Sequence, residues 1–265
     1  MTDQFSTLQV AVRAGGVAWV EMARPKVFNA FDEQMIGEFD AVFAALAANR
    51  DVRVVVLSAQ GKHFSAGADL QWMQRASQAS ETDNLADAQR FAAMLARLAQ
   101  MPQPTIARVQ GAALGGGMGL VCACDLAFAS ADARFALSEA RLGILPAVIG
   151  PYLVNAVGLR QAKALALMAE RIDAQRALAI GLVQQVVPAD ELDAAVDTAL
   201  EALRQGSPQA QHAIKDFFGQ LSVGPVGEGV RELSAQTIAR ARTTADAREG
   251  FAAFLEKRPP RWAAS

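Results

Sequence analysis

The stretch Gly111-Ala-Ala-Leu-Gly-Gly-Gly-Met-Gly119 carries the strongest signal in this chain. A second glycine-bearing stretch, Gly61-Lys-His-Phe-Ser-Ala-Gly-Ala-Asp-Leu70, precedes it, and Glu139 follows in Leu137-Ser-Glu-Ala-Arg-Leu-Gly143. Glycines let a backbone approach a ligand closely and present its N–H groups. Two such segments beside one bound carbonyl group can donate hydrogen bonds to a developing oxyanion, and a nearby carboxylate can move protons. The combination indicates chemistry on an activated acyl group.

Each glycine stretch follows a predicted strand, and this alternation sets the fold class. Arg53-Val-Val-Val-Leu-Ser58 has the length and apolar content of a strand buried on both faces, and Thr105-Ile-Ala-Arg-Val109 leads into the second stretch. Further predicted strands cover residues 17–22 and 125–129. Predicted helices lie between them, one beginning after a capping Asp32 and others over residues 84–98 and 117–123. The pattern predicts an α/β fold with right-handed crossovers and a largely parallel sheet.

The composition changes near Gly158–Arg160, after which Ala- and Leu-rich helical patterns dominate. Helices are predicted over residues 160–169, 173–180, 191–204, 208–221, 229–241 and 245–256. We therefore predict an α/β core with the active site in residues 1–159 and a helical region in residues 160–265.

Composition excludes several classes of function. The chain has 265 residues, 52% of them hydrophobic, and a formal net charge of −2 without a strongly basic run, so we expect no nucleic-acid partner. No stretch is long and apolar enough for a signal peptide or a membrane span, which predicts a cytoplasmic protein without a membrane partner. Cys122 and Cys124, two residues apart, are expected to be reduced core residues, and no metal site is predicted.

Nucleotide binding by the second glycine stretch is disfavoured. A phosphate-binding P-loop needs Lys and then Ser or Thr after its last glycine, but Gly117 and Met118 follow Gly116. A dinucleotide fingerprint starting at Gly115 would need glycine at Leu120. Tight packing of a helix on a strand and an oxyanion role both remain open for this stretch.

Ser65 and Glu139 each allow a structural and a catalytic interpretation. A hydrolase elbow needs glycine two residues before the serine, where His63 stands, so a structural Ser65 is favoured over a nucleophile. Glu139 lies between apolar stretches, where burial would raise its pKa and suit it to proton transfer. The structural alternative is a salt bridge from Glu139 to Arg141 or Arg134.

Taken together, these stretches resemble the enoyl-CoA hydratase/isomerase (crotonase) superfamily over nearly the whole chain. Several separated motifs occur in the family's order. They are Arg24-Pro-Lys-Val-Phe-Asn-Ala30, Gly61–Leu70, Val109–Gly117, Cys124-Asp-Leu-Ala-Phe128, Phe135–Gly143 and Phe254-Leu-Glu-Lys-Arg258. The resemblance implies a spiral of ββα units with a C-terminal helical trimerisation region, and a homotrimer or a homohexamer built as a dimer of trimers.

The resemblance also implies roles for particular residues. The backbone N–H groups of Ala68 and Gly116 are the expected oxyanion hole for a thioester carbonyl, and Glu139 is the expected acid–base residue. Lys26, the turn containing Ala66, and Lys257 resemble segments that bind coenzyme A. Coenzyme A would enter as part of an acyl-CoA substrate, so no separate cofactor is expected.

One departure from the family pattern affects the expected reaction. Typical two-base hydratases carry a second glutamate two residues after the triple glycine, where this chain has Gly119. The run Pro146-Ala-Val-Ile-Gly-Pro-Tyr152 also differs from the family's glycine-rich segment, and its Val148 and Ile149 would reshape the acyl pocket. This region most resembles bacterial hydratases of branched dicarboxylic thioesters, the 3-methylglutaconyl-CoA and isohexenylglutaconyl-CoA hydratases of leucine and acyclic terpene catabolism.

The resemblance therefore predicts a carbon–oxygen lyase that hydrates such a branched enoyl-CoA thioester. A Δ3,Δ2-enoyl-CoA isomerase with one glutamate is the alternative, and a hydrolase or decarboxylase ranks third. A non-catalytic acyl-CoA-binding subunit is a further alternative, suggested by Gly119.

Overall fold

The computed structural model describes residues 5–263, and these form a mixed α/β fold. Nine strands and ten helices are present in this part of the chain. The strands are β1 (Leu8–Arg13), β2 (Val17–Met22), β3 (Val54–Ala59), β4 (Thr105–Val109), β5 (Ala112–Leu114), β6 (Leu126–Ser130), β7 (Arg134–Ala136), β8 (Ile172–Asp173) and β9 (Gln185–Val187). The helices are α1 (Glu33–Ala48), α2 (Leu70–Gln78), α3 (Glu81–Ala99), α4 (Gly116–Ala123), α5 (Gly150–Met168), α6 (Ala174–Ala179), α7 (Leu192–Arg204), α8 (Pro208–Gly219), α9 (Glu228–Arg242) and α10 (Ala245–Leu255).

The main sheet has six strands in the order β1-β2-β3-β4-β6-β9. The β1–β2 pair is antiparallel and every other pair in this sheet is parallel, which confirms the predicted largely parallel arrangement. The predicted strands over residues 17–22, 53–58, 105–109 and 125–129 agree with β2, β3, β4 and β6 to within one residue at each end.

Strand β3 shows why the sheet is buried on both faces. Val55 and Leu57 belong to the larger apolar cluster, in which residues of α1 and α3 cover one face of the sheet. Val54 and Val56 belong to a second cluster, with Leu192 and other residues of α7, on the opposite face. Successive side chains of a strand point to opposite faces, so an all-apolar strand needs a helical layer on each side.

A second, smaller sheet positions the glycine-rich segment of α4. Strand β5 pairs in parallel with β7, and β7 pairs antiparallel with β8. Strands β5 and β7 are three residues long. Because β5 leads directly into α4 and β7 into the segment with Glu139, their pairing brings these two segments together.

The predicted division after residue 159 falls within α5, which kinks at Gly158 (φ 77°). Strand β9, from beyond that division, joins the main sheet beside β6, and α7 packs on the same sheet. Residues after 159 therefore contribute to the α/β core, and the helical character of the chain's end begins with α7. The predicted helices over residues 191–204, 208–221, 229–241 and 245–256 correspond to α7 to α10.

None of the helices in residues 5–263 is long and apolar enough to cross a membrane.

The two cysteines do not form a disulfide. Cys122 and Cys124 are unpaired, and burial raises the pKa of the Cys122 thiol to about 12. Both thiols are therefore unreactive at neutral pH, as expected of core residues.

Candidate active site

The first glycine stretch forms a tight turn that leaves one amide unused. The N–H groups of Ser65, Ala66, Gly67 and Asp69 all donate hydrogen bonds, whereas that of Ala68 has no acceptor in the part of the chain that the structure describes. Gly67 has φ of 92°, a conformation that favours glycine, and Ala68 is partly exposed. A ligand can therefore reach the Ala68 N–H group.

The second glycine stretch brings the start of α4 beside this turn. Gly115 precedes the helix with φ of 48°, and a Cβ atom built on it would lie 3.8 Å from the Cα of Gly67. Gly116 is the first residue of α4, and the first N–H groups of an α-helix have no acceptor within the helix. Because Gly67 and Gly115 lie close together, the residues after them, Ala68 and Gly116, belong to neighbouring segments.

Glu139 lies at the same site, at the start of a 3₁₀ turn over Glu139–Leu142. Pairing of β5 with β7 and a hydrogen bond from Gly115 N–H to the Ala136 carbonyl oxygen (2.9 Å) hold the two segments together. A Cβ atom built on Gly115 would be 3.5 Å from Oε1 of Glu139. The structure thus places Glu139 against the start of α4, beside the turn that contains Ala68, and the catalytic roles of Glu139, Ala68 and Gly116 stay a prediction.

The Glu139 carboxyl group is electrostatically unusual. Its Oε2 is buried and has no hydrogen-bond partner among the described residues. Burial raises the pKa of Glu139, and backbone hydrogen bonds from Glu139 and Ser138 offset only part of that rise. A carboxyl group with a raised pKa and a free oxygen is suited to accept and return a proton near neutral pH.

The salt-bridge alternative for Glu139 is wrong. No ion pair within residues 5–263 joins it to Arg134 or Arg141. Arg134 instead donates from Nη1 to the carbonyl oxygen of Ala133 (2.8 Å), and the Arg141 side chain is exposed. The neighbouring arginines in the sequence therefore do not neutralise this carboxylate.

Ser65 is structural, as the sequence favoured. It is completely buried; its Oγ donates to the carbonyl oxygen of Asn29 (2.8 Å) and accepts from Gly67 N–H (3.2 Å). Nδ1 of His63 accepts a hydrogen bond from Ala112 N–H (3.1 Å), so that nitrogen is occupied by the backbone. Burial lowers the pKa of His63. The pair forms no nucleophilic dyad, and both residues shape the turn.

Sequence reasoning assigned no role to Asn29 or Arg24, which hold the turn in place. Asn29 is buried; its Nδ2 donates to the carbonyl oxygens of Gln60 and His63, both at 2.9 Å. Arg24 forms ion pairs with Asp32 (2.8 Å) and Asp69 (3.3 Å), the residues that cap α1 and α2. The sequence could have indicated a turn at Asn29, because asparagine tolerates the left-handed backbone conformation that it adopts here (φ 54°) better than most residues.

Of the residues expected to bind coenzyme A, Ala66 and Lys26 lie in adjoining turns, whereas Lys257 follows α10. Ala66 belongs to the turn itself, where its N–H donates to the carbonyl oxygen of Phe28 (2.9 Å). Lys26 is exposed in a 3₁₀ turn before α1, and Lys257 is exposed just after α10. Their role in binding coenzyme A stays a prediction.

Three known proteins show what this chain is similar to. An enoyl-CoA hydratase from Shewanella pealeana matches the structure with a TM-score of 0.95 and 40% identity, over 98% of this chain and 97% of that protein. The human mitochondrial methylglutaconyl-CoA hydratase is 34% identical over 239 residues, 88% of this chain and 70% of that protein. A trans-2-decenoyl-[acyl-carrier-protein] isomerase from Streptococcus mutans is 29% identical over 252 residues, 93% of this chain and 94% of that protein.

The fold is therefore that of the crotonases, which confirms the fold class predicted from the sequence. Residues 13–265 match the family described as enoyl-CoA hydratase/isomerase. The chain belongs to the enoyl-CoA hydratase/isomerase family.

Proposed function

We propose that this protein hydrates the conjugated double bond of a branched enoyl-CoA thioester of the 3-methylglutaconyl-CoA or isohexenylglutaconyl-CoA type. The observation that carries the proposal is the free, buried carboxylate oxygen of Glu139 beside two unused backbone amides. The fold brings these groups to one place, and the chain's family includes hydratases by name.

The proposed reaction begins at the thioester oxygen. The N–H groups of Ala68 and Gly116 hold the carbonyl, and Gly116 adds the positive end of the α4 dipole. The Glu139 carboxylate takes a proton from water as the water oxygen attacks the β-carbon, so that negative charge moves to the thioester oxygen. The resulting Glu139 carboxylic acid returns the proton to the α-carbon on the same face, giving syn addition. Losing one donor to an oxyanion typically lowers the rate about 100- to 1,000-fold.

The choice of a branched substrate is supported by the segment after Glu139. The resemblance to methylglutaconyl-type hydratases lies in the segment from Leu137 to Tyr152, and a human relative of that name is 34% identical. Arg141, exposed and two residues after Glu139, is available for the distal carboxylate of such a substrate.

A Δ3,Δ2-enoyl-CoA isomerase is the second candidate, and the single carboxylate is the observation that favours it. One base can carry a proton from the γ- to the α-position because the proton leaves and returns on one face. A relative in Streptococcus mutans is an isomerase by name. Isomerisation predicts no uptake of water.

We extend the proposal to substrate binding and assembly. Lys26 and Lys257 would contact the phosphates of coenzyme A, with Ala66 in the turn against it, and the chain would assemble as a homotrimer or a dimer of trimers. The C-terminal helices offer apolar surface for that assembly, since Ile214, Phe218 and Phe254 are each more than half exposed.

The test follows the absorbance of the conjugated thioester after adding enzyme to 3-methylglutaconyl-CoA and, separately, to crotonyl-CoA. Hydration of the branched substrate predicts fast loss of the band with the first and little with the second. A β,γ-unsaturated thioester serves as the third substrate. Growth of the band there, without loss in the other two reactions, would favour the isomerase and reject the hydratase.

A further inference from the structure

In the interior of the protein, the side chain of Ile149 occupies the space that a side chain at position 119 would need. A Cβ atom built on Gly119 would lie 2.4 Å from Cγ2 and 3.1 Å from Cβ of Ile149. Carbon atoms do not approach so closely without bond formation, since attractive contact begins near 3.5 Å. Ile149 is buried, with 4% of its surface exposed, and Leu95 Cδ1 lies 3.7 Å from the same Cβ position. Ile149 therefore fills the space that a side chain at position 119 would need.

This filled volume lies four residues along the chain from the glycine that faces the carboxylate. Gly119 N–H donates to the carbonyl oxygen of Gly115 (3.1 Å), the residue that precedes α4. The Cβ position of Gly115 is 3.5 Å from Oε1 of Glu139, so Glu139 and Ile149 meet successive turns at the start of α4.

We propose that Ile149 is a specificity-determining residue that sets the depth of the acyl pocket and restricts the site to one carboxyl group. The part of this inference that concerns catalysis rests on the proposed function. Ile149 and Leu95, both buried and apolar, border the Cβ position of Gly119. They leave no room for a side chain from position 119 and limit how far an acyl group extends past Glu139.

The steric part of the proposal is tested by a double-mutant cycle with Gly119→Ala and Ile149→Ala. Alanine is normally better than glycine inside a helix, so Gly119→Ala should lower the Tm only because its methyl group meets Ile149. In the Ile149→Ala background, which removes the 2.4 Å contact with Cγ2 but keeps Cβ at 3.1 Å, the same substitution should lower the Tm far less. An equal loss of Tm in both backgrounds would overturn the steric assignment.

Gly117→Ala is the matched control, because it places a methyl group on the same helix against a different neighbour. Its Cβ would lie 2.7 Å from Cβ of Ser65. Ile149→Ala cannot relieve that contact, so the Tm loss from Gly117→Ala should be the same in both backgrounds. If Ile149→Ala also rescued Gly117→Ala, general loosening of the core would explain the result, and the proposal would fail.

The specificity part is tested by binding rather than turnover. Butyryl-CoA and decanoyl-CoA are saturated and cannot be hydrated, so calorimetric Kd values for them do not depend on the proposed reaction. Ile149→Ala should strengthen the binding of decanoyl-CoA relative to that of butyryl-CoA by at least about tenfold. Ile149→Val, which keeps Cγ2, should change the ratio of the two Kd values little. An unchanged ratio in Ile149→Ala would overturn the proposal, even if the wild-type protein hydrates its substrate. A shifted ratio in a protein without hydratase activity would support the pocket assignment and reject only the proposed reaction.

Discussion

Two partly buried glutamates, Glu139 and Glu249, have contrasting electrostatics. Glu139, in the 3₁₀ turn beside α4, has a buried oxygen without a partner, and burial raises its pKa. Glu249, in α10, accepts hydrogen bonds from Arg258 Nη1 (2.7 Å) and from Arg261 N–H (3.0 Å). The hydrogen bonds from Arg258 come first among the causes that lower the pKa of Glu249 to about 2.

The difference shows what a carboxylate can do in each place. Glu249 is held as a permanent anion that ties the end of α10 to the chain after it, and it does not exchange protons near neutral pH. Glu139 forms no ion pair within residues 5–263, and burial disfavours its charged form. Partners that stabilise a charge also remove its ability to transfer protons. Of these two glutamates, Glu139 is therefore the one with the properties of an acid–base catalyst.

The largest expected effect is on turnover. Glu139→Gln should lower kcat about 100- to 10,000-fold, the contribution that general acid–base catalysis typically makes. The matched variant Glu249→Gln should keep kcat within about twofold of wild type, because Glu249 is not at the reaction site. Circular dichroism would verify that both variants fold. A comparable loss of kcat in the two variants would contradict a specific role for Glu139 in catalysis.

The pH dependence of kcat/KM should show the raised pKa of Glu139 directly. Glu139 must be ionised to accept a proton from water, so activity should fall about tenfold per pH unit below its pKa. The midpoint should lie above 4.5, the ordinary value for glutamate. A profile that stayed flat down to pH 4.5 would mean that Glu139 titrates normally or takes no part.

Stability should respond to the two substitutions with opposite sign. A folded-state pKa above the unfolded value favours the folded state at low pH, and that advantage is lost as pH rises through the folded pKa. Glu139→Gln should therefore raise the Tm at pH 7 and have little effect below pH 4.5. The lowered pKa of Glu249 stabilises the fold above pH 4.5 and stops doing so as pH falls toward about 2. Glu249→Gln should lower the Tm at pH 7, and Tm shifts of the same sign at that pH would contradict the account.

The smallest effect is expected on the KM of the substrate, at Lys257 in the segment that follows α10. Lys257→Ala should raise the KM of a CoA thioester up to about fivefold and leave kcat unchanged, since an exposed ion pair contributes ~0.2–1 kcal/mol. The increase should shrink at high salt, where exposed charges are screened. Lys26→Ala offers the same test at the other predicted contact. Lys163→Ala is the control, because Lys163 is an exposed lysine of α5 to which no role in binding coenzyme A is assigned. A change in kcat rather than KM would remove Lys257 from substrate binding.

The glycine segments of the candidate site are visible in the sequence for a physical reason. Gly67 and Gly115 have positive φ, which favours glycine, and a Cβ atom built on Gly67 would lie 3.1 Å from the carbonyl oxygen of Leu114. The absence of a partner for Glu139 could not be predicted, because Arg141 is adjacent in sequence and only the fold shows that its side chain is exposed.

Long-range contacts explain the parts of the fold that were missed. Strand β9 is three residues long, too short for its apolar pattern to predict a strand. It is stabilised by pairing with β6, more than fifty residues earlier in the chain. Strand β1 and helix α2 were likewise not predicted. The contact of Gly119 with Ile149 joins two segments whose sequences give no sign of each other.

Hydration requires that the hydroxyl oxygen of the product comes from water. The wild-type protein would convert 3-methylglutaconyl-CoA in water enriched in ¹⁸O, and mass spectrometry would follow the product alongside that of Glu139→Gln. Hydration by Glu139 predicts a product that carries one ¹⁸O atom at the β-carbon and forms at a rate that depends on Glu139. A product without ¹⁸O, or equal formation by the Glu139→Gln variant, would contradict it.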